Sequence, residues 1–190
     1  MTSQHMLRQQ GKAARRAMSA EQRQQASNQI CEALKSLCSS AMHIGVYLAM
    51  PEEVNLQPLI DWAFSEHKKI YVPVIDKASS QLEFFQITPG TIFEKNSWGI
   101  LEPVLSADLQ PRPLSDCDVV LVPLVAFDDK LNRIGMGAGL YDRALSACLP
   151  QAKRPFFIGC AFQCQQVFAI QSNSWDVPLD TVVTESRSFV

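Results

Sequence analysis

Between Asp118 and Leu145 the apolar run DVVLVPLVAF gives way to acid, then arginine, then three glycines at alternate positions, in DDKLNRIGMGAGLYDRAL. Gly135, Gly137 and Gly139 can take positive φ and let backbone N–H groups approach an anion without a Cβ in the way. A helix following them would add its positive N-terminal end. Arg133 supplies a planar fork for phosphoryl oxygens, and Asp128, Asp129 and Asp142 supply hard oxygen donors for a cation such as Mg²⁺ that bridges phosphates. This set suits nucleoside triphosphate chemistry. The plainer alternative is a packing device, with glycine chosen so that a helix can approach closely. The spacing is neither GxxxxGK[ST] nor GxGxxG, so neither a Walker loop nor a dinucleotide fingerprint applies.

A second set lies near the start. Arg8, Lys12, Arg15 and Arg16 fall at i, i+4, i+7 and i+8 of a helix-forming segment and share a face, with no acid before Glu21. That face either holds a polyphosphate or is a solvated basic surface. Cys31, Cys38, Cys117, Cys148, Cys160 and Cys164 are scattered without CxxC spacing and read as reduced thiols of a cytoplasmic protein. His43 and His67 read as structural, and His5 lies near the start of the chain.

Elements must position these groups. Leu7 to Leu37 is rich in Ala, Gln, Arg and Glu, and SAEQ at Ser19 to Gln22 matches a capping box, so two helices are expected. HIGVYLA (43–49) and KIYVPVI (69–75) read as strands joined by a helix in LQPLIDWAFSEHKK, a parallel crossover. QLEFFQI (81–87) is a further strand, 88–115 a long ordered loop, and CDVVLVPLVAF a continuous buried strand. A helix is expected over 140–148, then a strand in RPFFIGCAF, a short turn at 165–168 and a last strand in TVVTES. Alternating buried strands and helices argue a mostly parallel sheet covered on both sides, a single three-layer α/β/α domain over 1–190 with residues 1–38 as helices packed on its core.

The 190 residues suit one domain, and 47% apolar, 19% charged composition is that of an ordinary globular protein. A net charge of −2 gives no bulk attraction to nucleic acid or anionic lipid, so neither is expected as a partner. No apolar run approaches a bilayer span and no export address is visible.

The string LVPLVAFDDKLNRIGMGAGLYDR resembles the signature of the 5-formyltetrahydrofolate cyclo-ligase family, usually a VP, an AFD and an RLGxGxGYYDR segment leading into a helix. LRQQGKAARRAMSAEQR, YLAMPEEVN, WGILEP and WDVPLDTVVTE stand in the family's order, so the resemblance spans nearly the whole chain. It implies a NagB/RpiA/CoA-transferase-like α/β fold and ATP- and Mg²⁺-dependent closure of 5-formyltetrahydrofolate, with or without a polyglutamate tail, to 5,10-methenyltetrahydrofolate, by a monomer or weak homodimer. Carried over by position, ATP contacts fall on Leu7 and Arg8 and on Arg133, Ile134, Gly135, Met136, Gly137, Ala138, Gly139, Leu140 and Tyr141. Arg133, Arg8 and Lys12 take the catalytic, charge-neutralising role. Metal ligands fall on Asp142 and Asp180, and folate contacts on Met50, Glu53, Asn55 and Trp98. The chain departs from the family at Gln4, Asn55, Ala138 and Leu140. Those departures motivate the alternative of a folate- or nucleotide-binding protein with weak or no catalysis.

Overall fold

The computed structural model describes residues 3–76, 78–106 and 109–190. Ser3 caps helix α1 (Gln4–Ala17) by accepting from the Met6 N–H at 3.3 Å. Ser19 and Gln22 form both halves of the expected capping box at the start of α2 (Ala20–Leu37). Four short strands follow: β1 (His43–Gly45), then, after α3 (Gln57–Ser65), β2 (Lys69–Asp76), β3 (Gln81–Ile87) and β4 (Phe93–Lys95). The chain continues through β5 (Leu101–Pro103), β6 (Val119–Pro123), β7 (Ala126–Phe127), β8 (Arg133–Ile134), α4 (Leu140–Ser146), β9 (Phe156–Cys160), β10 (Thr181–Val183) and β11 (Ser188–Phe189).

The main sheet runs β11-β10-β9-β6-β1-β2-β3. Its five central strands are parallel, and both edge pairs, β2 with β3 and β10 with β11, are antiparallel. Along β6 the side chains alternate between two apolar layers, which is why the strand reads as an unbroken hydrophobic run. Val119 and Leu121 pack with Ile30 and Leu34 of α2 and Leu59 and Ile60 of α3. Val120 and Val122 pack with Leu145 of α4, Phe157 and Phe84 on the other face. The expected three-layer α/β arrangement is present.

Strand order reverses at β1, which has β2 on one side and β6 on the other, so the segments leaving β1 and β6 diverge and open a crevice at their carboxyl ends. Helix α1 closes over that end. Leu7 packs with Ala126, Ile134, Val167 and Ile170, and Gly11 sits so close to the 125 peptide that a Cβ there would stand 2.2 Å from the Val125 carbonyl oxygen.

Several elements differ from the sequence expectation. The run 117–127 is broken after Pro123, which brings no N–H to a ladder. Beyond it the Val125 N–H donates to Ile134 O at 2.7 Å, and the Gln165 amide donates to Leu124 O and Val125 O. These bonds turn the chain out of the sheet into the small β7–β8 hairpin. The segment 88–115 is not only loop: it holds the β4–β5 hairpin, and Ile75 at the end of β2 is tied to it by a 2.9 Å bond from its N–H to Glu102. A final antiparallel strand, β11, follows TVVTES. All six cysteines are free, five of them buried and Cys164 exposed. Burial pushes the Cys31 thiol up to about 11 and those of Cys38 and Cys117 to about 12, so these are protonated packing groups.

Candidate active site

The crevice at the switch point is a cavity of about 720 Å³. Its floor comes from the segments leaving β1 (Tyr47, Leu48, Met50, Glu53) and β6 (Pro123 to Val125). One wall is apolar, with Pro73, Ile75, Leu82, Ile100 and Leu101. The other carries the glycine loop, α4, residues 173–178, and Gln4 and Arg8 of α1. The expected placement beyond the strand ends is therefore realised, and Arg133, Ile134, Gly135, Met136, Gly137, Ala138, Gly139, Leu140 and Tyr141 all line the cavity.

Within the loop, Gly137 has φ +111 and Gly139 φ +65, backbone that a Cβ would strain. Gly135 needs another reason, because a Cβ built on it meets nothing within 4 Å. Packing does not require glycine there, and its backbone is open to the cavity. Two arginines hold the loop by its carbonyls: Arg8 Nε donates to Gly135 O at 2.8 Å, and Arg143 Nη1 donates to Ala138 O at 3.1 Å. Arg143 also donates to Ser80 O at 2.8 Å, and sequence reasoning gave it no role.

Arg133 is 8% exposed. Its Nη1 donates to Val177 O, and its Nη2 donates to Asp142 Oδ1 at 2.7 Å. Burial lowers its pKa and the Asp142 carboxylate works against that fall. Within the protein the guanidinium fixes α4 and the 177 segment while lining the cavity.

The acids separate by environment. Asp128 is a buried hub whose carboxylate accepts from the N–H groups of Lys130, Asn132 and Ile170 and from the Asn132 amide. Asp129 accepts from Gln166 and faces Arg187 outside the cavity lining. Neither is placed to hold a cation at the glycine loop. Asp142 is so placed, since it lines the cavity and keeps Oδ2 outside the bonds that Oδ1 accepts from Arg133 and from the Val177 N–H. Asp180 stands just before β10, at the amino end of a strand whose carboxyl end points to the site. Its two oxygens take both terminal nitrogens of Arg154 at 2.7 and 2.6 Å, and the Phe157 N–H at 2.7 Å. The structure does not bring Asp180 to Asp142. The acid it does bring is Asp176, in the same WDVPLD block, which lines the cavity and accepts from Gln4 at 3.4 Å and from the Asn173 N–H at 2.7 Å.

Of the residues expected to contact folate, Met50 and Glu53 reach the cavity lining. Glu53 Oε2 accepts from the Met50 N–H at 3.1 Å, and burial raises the pKa of this carboxyl group. Asn55 does not reach the lining: its Oδ1 accepts from the Gln57 N–H at 3.0 Å, at the entrance to α3. Trp98, 61% exposed on the β4–β5 turn, also lies outside the lining, whereas Trp175, at the rim beside Asp176, belongs to it. Leu7 is a core residue, and Lys12 is half-buried but not on the lining. The Tyr47 hydroxyl donates to Val54 O at 3.0 Å, while the hydroxyl of Tyr141 is buried with no partner among the described residues.

The fold and site define an open α/β protein whose switch-point cavity combines a glycine loop held by two arginines, two acids and an apolar wall. The known proteins it resembles narrow that class. The pattern of the 5-formyltetrahydrofolate cyclo-ligase family matches residues 1–185, and the chain belongs to that family. It is 35% identical to the 5-formyltetrahydrofolate cyclo-ligase of Escherichia coli K12 over 176 residues, 91% of this chain and 95% of that one. It is 38% identical to the cyclo-ligase of Haemophilus influenzae over 140 residues, 73% of each. The solved structure of the Aquifex aeolicus 5,10-methenyltetrahydrofolate synthetase superposes with a TM-score of 0.81 at 27% identity, covering 97% of this chain and 91% of that one.

Proposed function

We propose that the protein closes 5-formyltetrahydrofolate to 5,10-methenyltetrahydrofolate, consuming ATP with Mg²⁺ and releasing ADP and phosphate. The observation that carries this reading is one cavity that joins unlike surfaces. A glycine with open space around it stands in a loop clasped by Arg8 and Arg143, and the same cavity is lined by the apolar wall and by the carboxyl group of Glu53. Family membership supports the same reaction.

The chemistry fits the residues. A formamide oxygen is a poor leaving group until it is phosphorylated. Transfer of the terminal phosphoryl group to the formyl oxygen breaks the phosphorus–oxygen bond to ADP. The neighbouring amine nitrogen then attacks the formyl carbon and gives up its proton, while the carbon–oxygen bond breaks and inorganic phosphate leaves. No side-chain nucleophile is needed, only positioning and neutralisation of charge. Arg8 and Arg143 fix the shape of the cradle formed by residues 133–141, and Arg133 aims Asp142.

Among the described residues no group of three or more His, Cys, Asp or Glu side chains is gathered. Mg²⁺ does not require one, because it is commonly held by one or two carboxylates together with phosphates and water. Asp142 and Asp176 fit that role. Bound there, the ion would neutralise and bridge phosphate oxygens. Across the cavity, Glu53 accepts N–H groups of the pterin, the apolar wall excludes water, and the unpartnered Tyr141 hydroxyl is free to donate to an oxygen of the substrate. The test is incubation of the full chain with 5-formyltetrahydrofolate, ATP and Mg²⁺, following the absorbance of the methenyl product. Turnover that needs all three supports the reading, and binding of both ligands without turnover contradicts it.

A further inference from the structure

Arg15 lies two turns after Arg8 on α1, yet it is only 3% exposed. Its neighbour Arg16 makes an ordinary surface pair with Glu52 at 2.9 Å, with the arginine side chain 67% exposed. Arg15 instead enters the interior behind the segment that leaves β1. There its Nη1 is 3.7 Å from Glu53 Oε1, with the two side chains 4% and 10% exposed. Its Nε and Nη1 are buried and have no hydrogen-bond partner among the described residues. A guanidinium is not held this way for its own stability, because desolvating it is costly and two of its donors are left unspent. What it does achieve is to place a fixed positive charge beside the Glu53 carboxylate on the cavity floor.

Glu53 is held from two sides. The Met50 N–H fixes Oε2, and Arg15 faces Oε1. A carboxylate has about four lone-pair sites, so two remain for the cavity.

We propose that Arg15 is the positioning residue for Glu53: it keeps that carboxylate ionised and turned so that its free lone pairs accept the paired amino and ring N–H groups of the substrate's pterin. The inference rests on the reading of Glu53 as the folate-facing acid. A protonated Glu53 would present a hydroxyl to those N–H groups and lose one acceptor, so charge is essential to the role. Burial opposes that charge, and Glu52 beside it opposes it further. The Met50 N–H and Arg15 favour it. The other titratable groups near it, Tyr47 and Tyr141, are themselves held neutral by burial. Helix α1 thereby serves two parts of the cavity, with Arg8 on the glycine loop and Arg15 on the folate acid.

The test compares Arg15→Met, Arg15→Lys, Glu53→Gln and the double variant Arg15→Met/Glu53→Gln, measuring KM for 5-formyltetrahydrofolate and for ATP and the pH profile of kcat/KM. Arg15→Met is expected to raise the folate KM about tenfold or more, the effect of weakening one hydrogen bond to a charged group, and to leave the ATP KM unchanged. The acid limb of the folate kcat/KM profile should move to higher pH, because loss of the facing cation makes Glu53 easier to protonate. Arg15→Lys should restore most of both. Glu53→Gln should abolish the limb, and the double variant should be no worse than Glu53→Gln alone. An unmoved limb and folate KM in Arg15→Met, beside a raised KM in Glu53→Gln, overturn the proposal for Arg15. A wild-type folate KM in Glu53→Gln overturns the reading of Glu53 itself. Should Arg15→Met not fold, Arg15→Gln carries the same expectation, and an unmoved limb in it is equally decisive.

Discussion

Replacing Gly11 by alanine tests whether α1 is seated on the site or merely covers it, because two physical effects predict opposite signs. Alanine in a helix interior is favoured over glycine by roughly 0.5–1 kcal/mol, so a helix free of its neighbours would be stabilised. Here a Cβ would stand 2.2 Å from Val125 O and 3.0 Å from Val125 C, both backbone atoms. That backbone cannot yield easily, since the Val125 carbonyl accepts from Gln165 and its N–H donates to Ile134. Normal contact requires about 1 Å more, so the helix must lift. Overpacking of this kind costs about 1–3 kcal/mol and exceeds the propensity gain. For a chain of this size each kcal/mol moves Tm by about 2–4 °C, so Tm should fall by several degrees. The 2.8 Å bond from Arg8 to Gly135 O would be stretched or broken, raising the ATP KM roughly 2- to 10-fold. Thermal unfolding and steady-state kinetics measure both. A raised Tm with an unchanged ATP KM, the result that helix propensity alone gives, would refute the reasoning.

Arg133→Ala should lower stability as well as turnover, by about 3 kcal/mol, because it leaves Asp142 and the Val177 carbonyl without their partner; a wild-type Tm would show that the pair is not structural. Asp142→Asn and Asp176→Asn should each shift the Mg²⁺ titration of activity to higher metal concentration, whereas Asp180→Asn should leave it in place; a shift in the last variant alone would return the metal role to Asp180. Burial would raise the pKa of Asp180, but its bonds from Arg154 and the Phe157 N–H outweigh that and hold it below the ordinary carboxylate value. Its contribution to stability is therefore full above the unfolded value near ~3.9 and is lost as pH falls through the depressed folded one, so the Tm difference between wild type and Asp180→Asn should be constant at neutral pH and shrink only in strong acid.

How much of this could be read from residues alone depended on how local the signal was. The capping box at Ser19, the crossover from β1 to β2 and the glycine loop are each written in a few neighbouring residues, and each is found where expected. The antiparallel direction of β3 was not legible, since QLEFFQI has the same apolar character in either orientation. The break after Pro123 depends on the Gln165 amide, about forty residues further on, which takes the carbonyls of Leu124 and Val125.

The site was legible as a region more than as a set of contacts. Residues 133–142 all line the cavity, along with Met50 and Glu53. Asp176 and Asp180 are four residues apart in one block, and only the start of β10 between the second acid and the site decides which of them faces the cavity. Trp175 and Trp98 are equally prominent in sequence, but only the first stands on the lining. On the basic face of α1, Arg15 and Arg16 are paired with Glu53 and Glu52, acids from a different segment that the helix sequence does not contain.

The most direct test of the account is the stoichiometry of a single reaction mixture of the wild-type chain, 5-formyltetrahydrofolate, ATP and Mg²⁺, in which ADP and the methenyl product are measured together. The account predicts that they appear in equal amounts and that neither appears without the other substrate. Methenyl product formed without ADP, or ADP released without methenyl product, would contradict it.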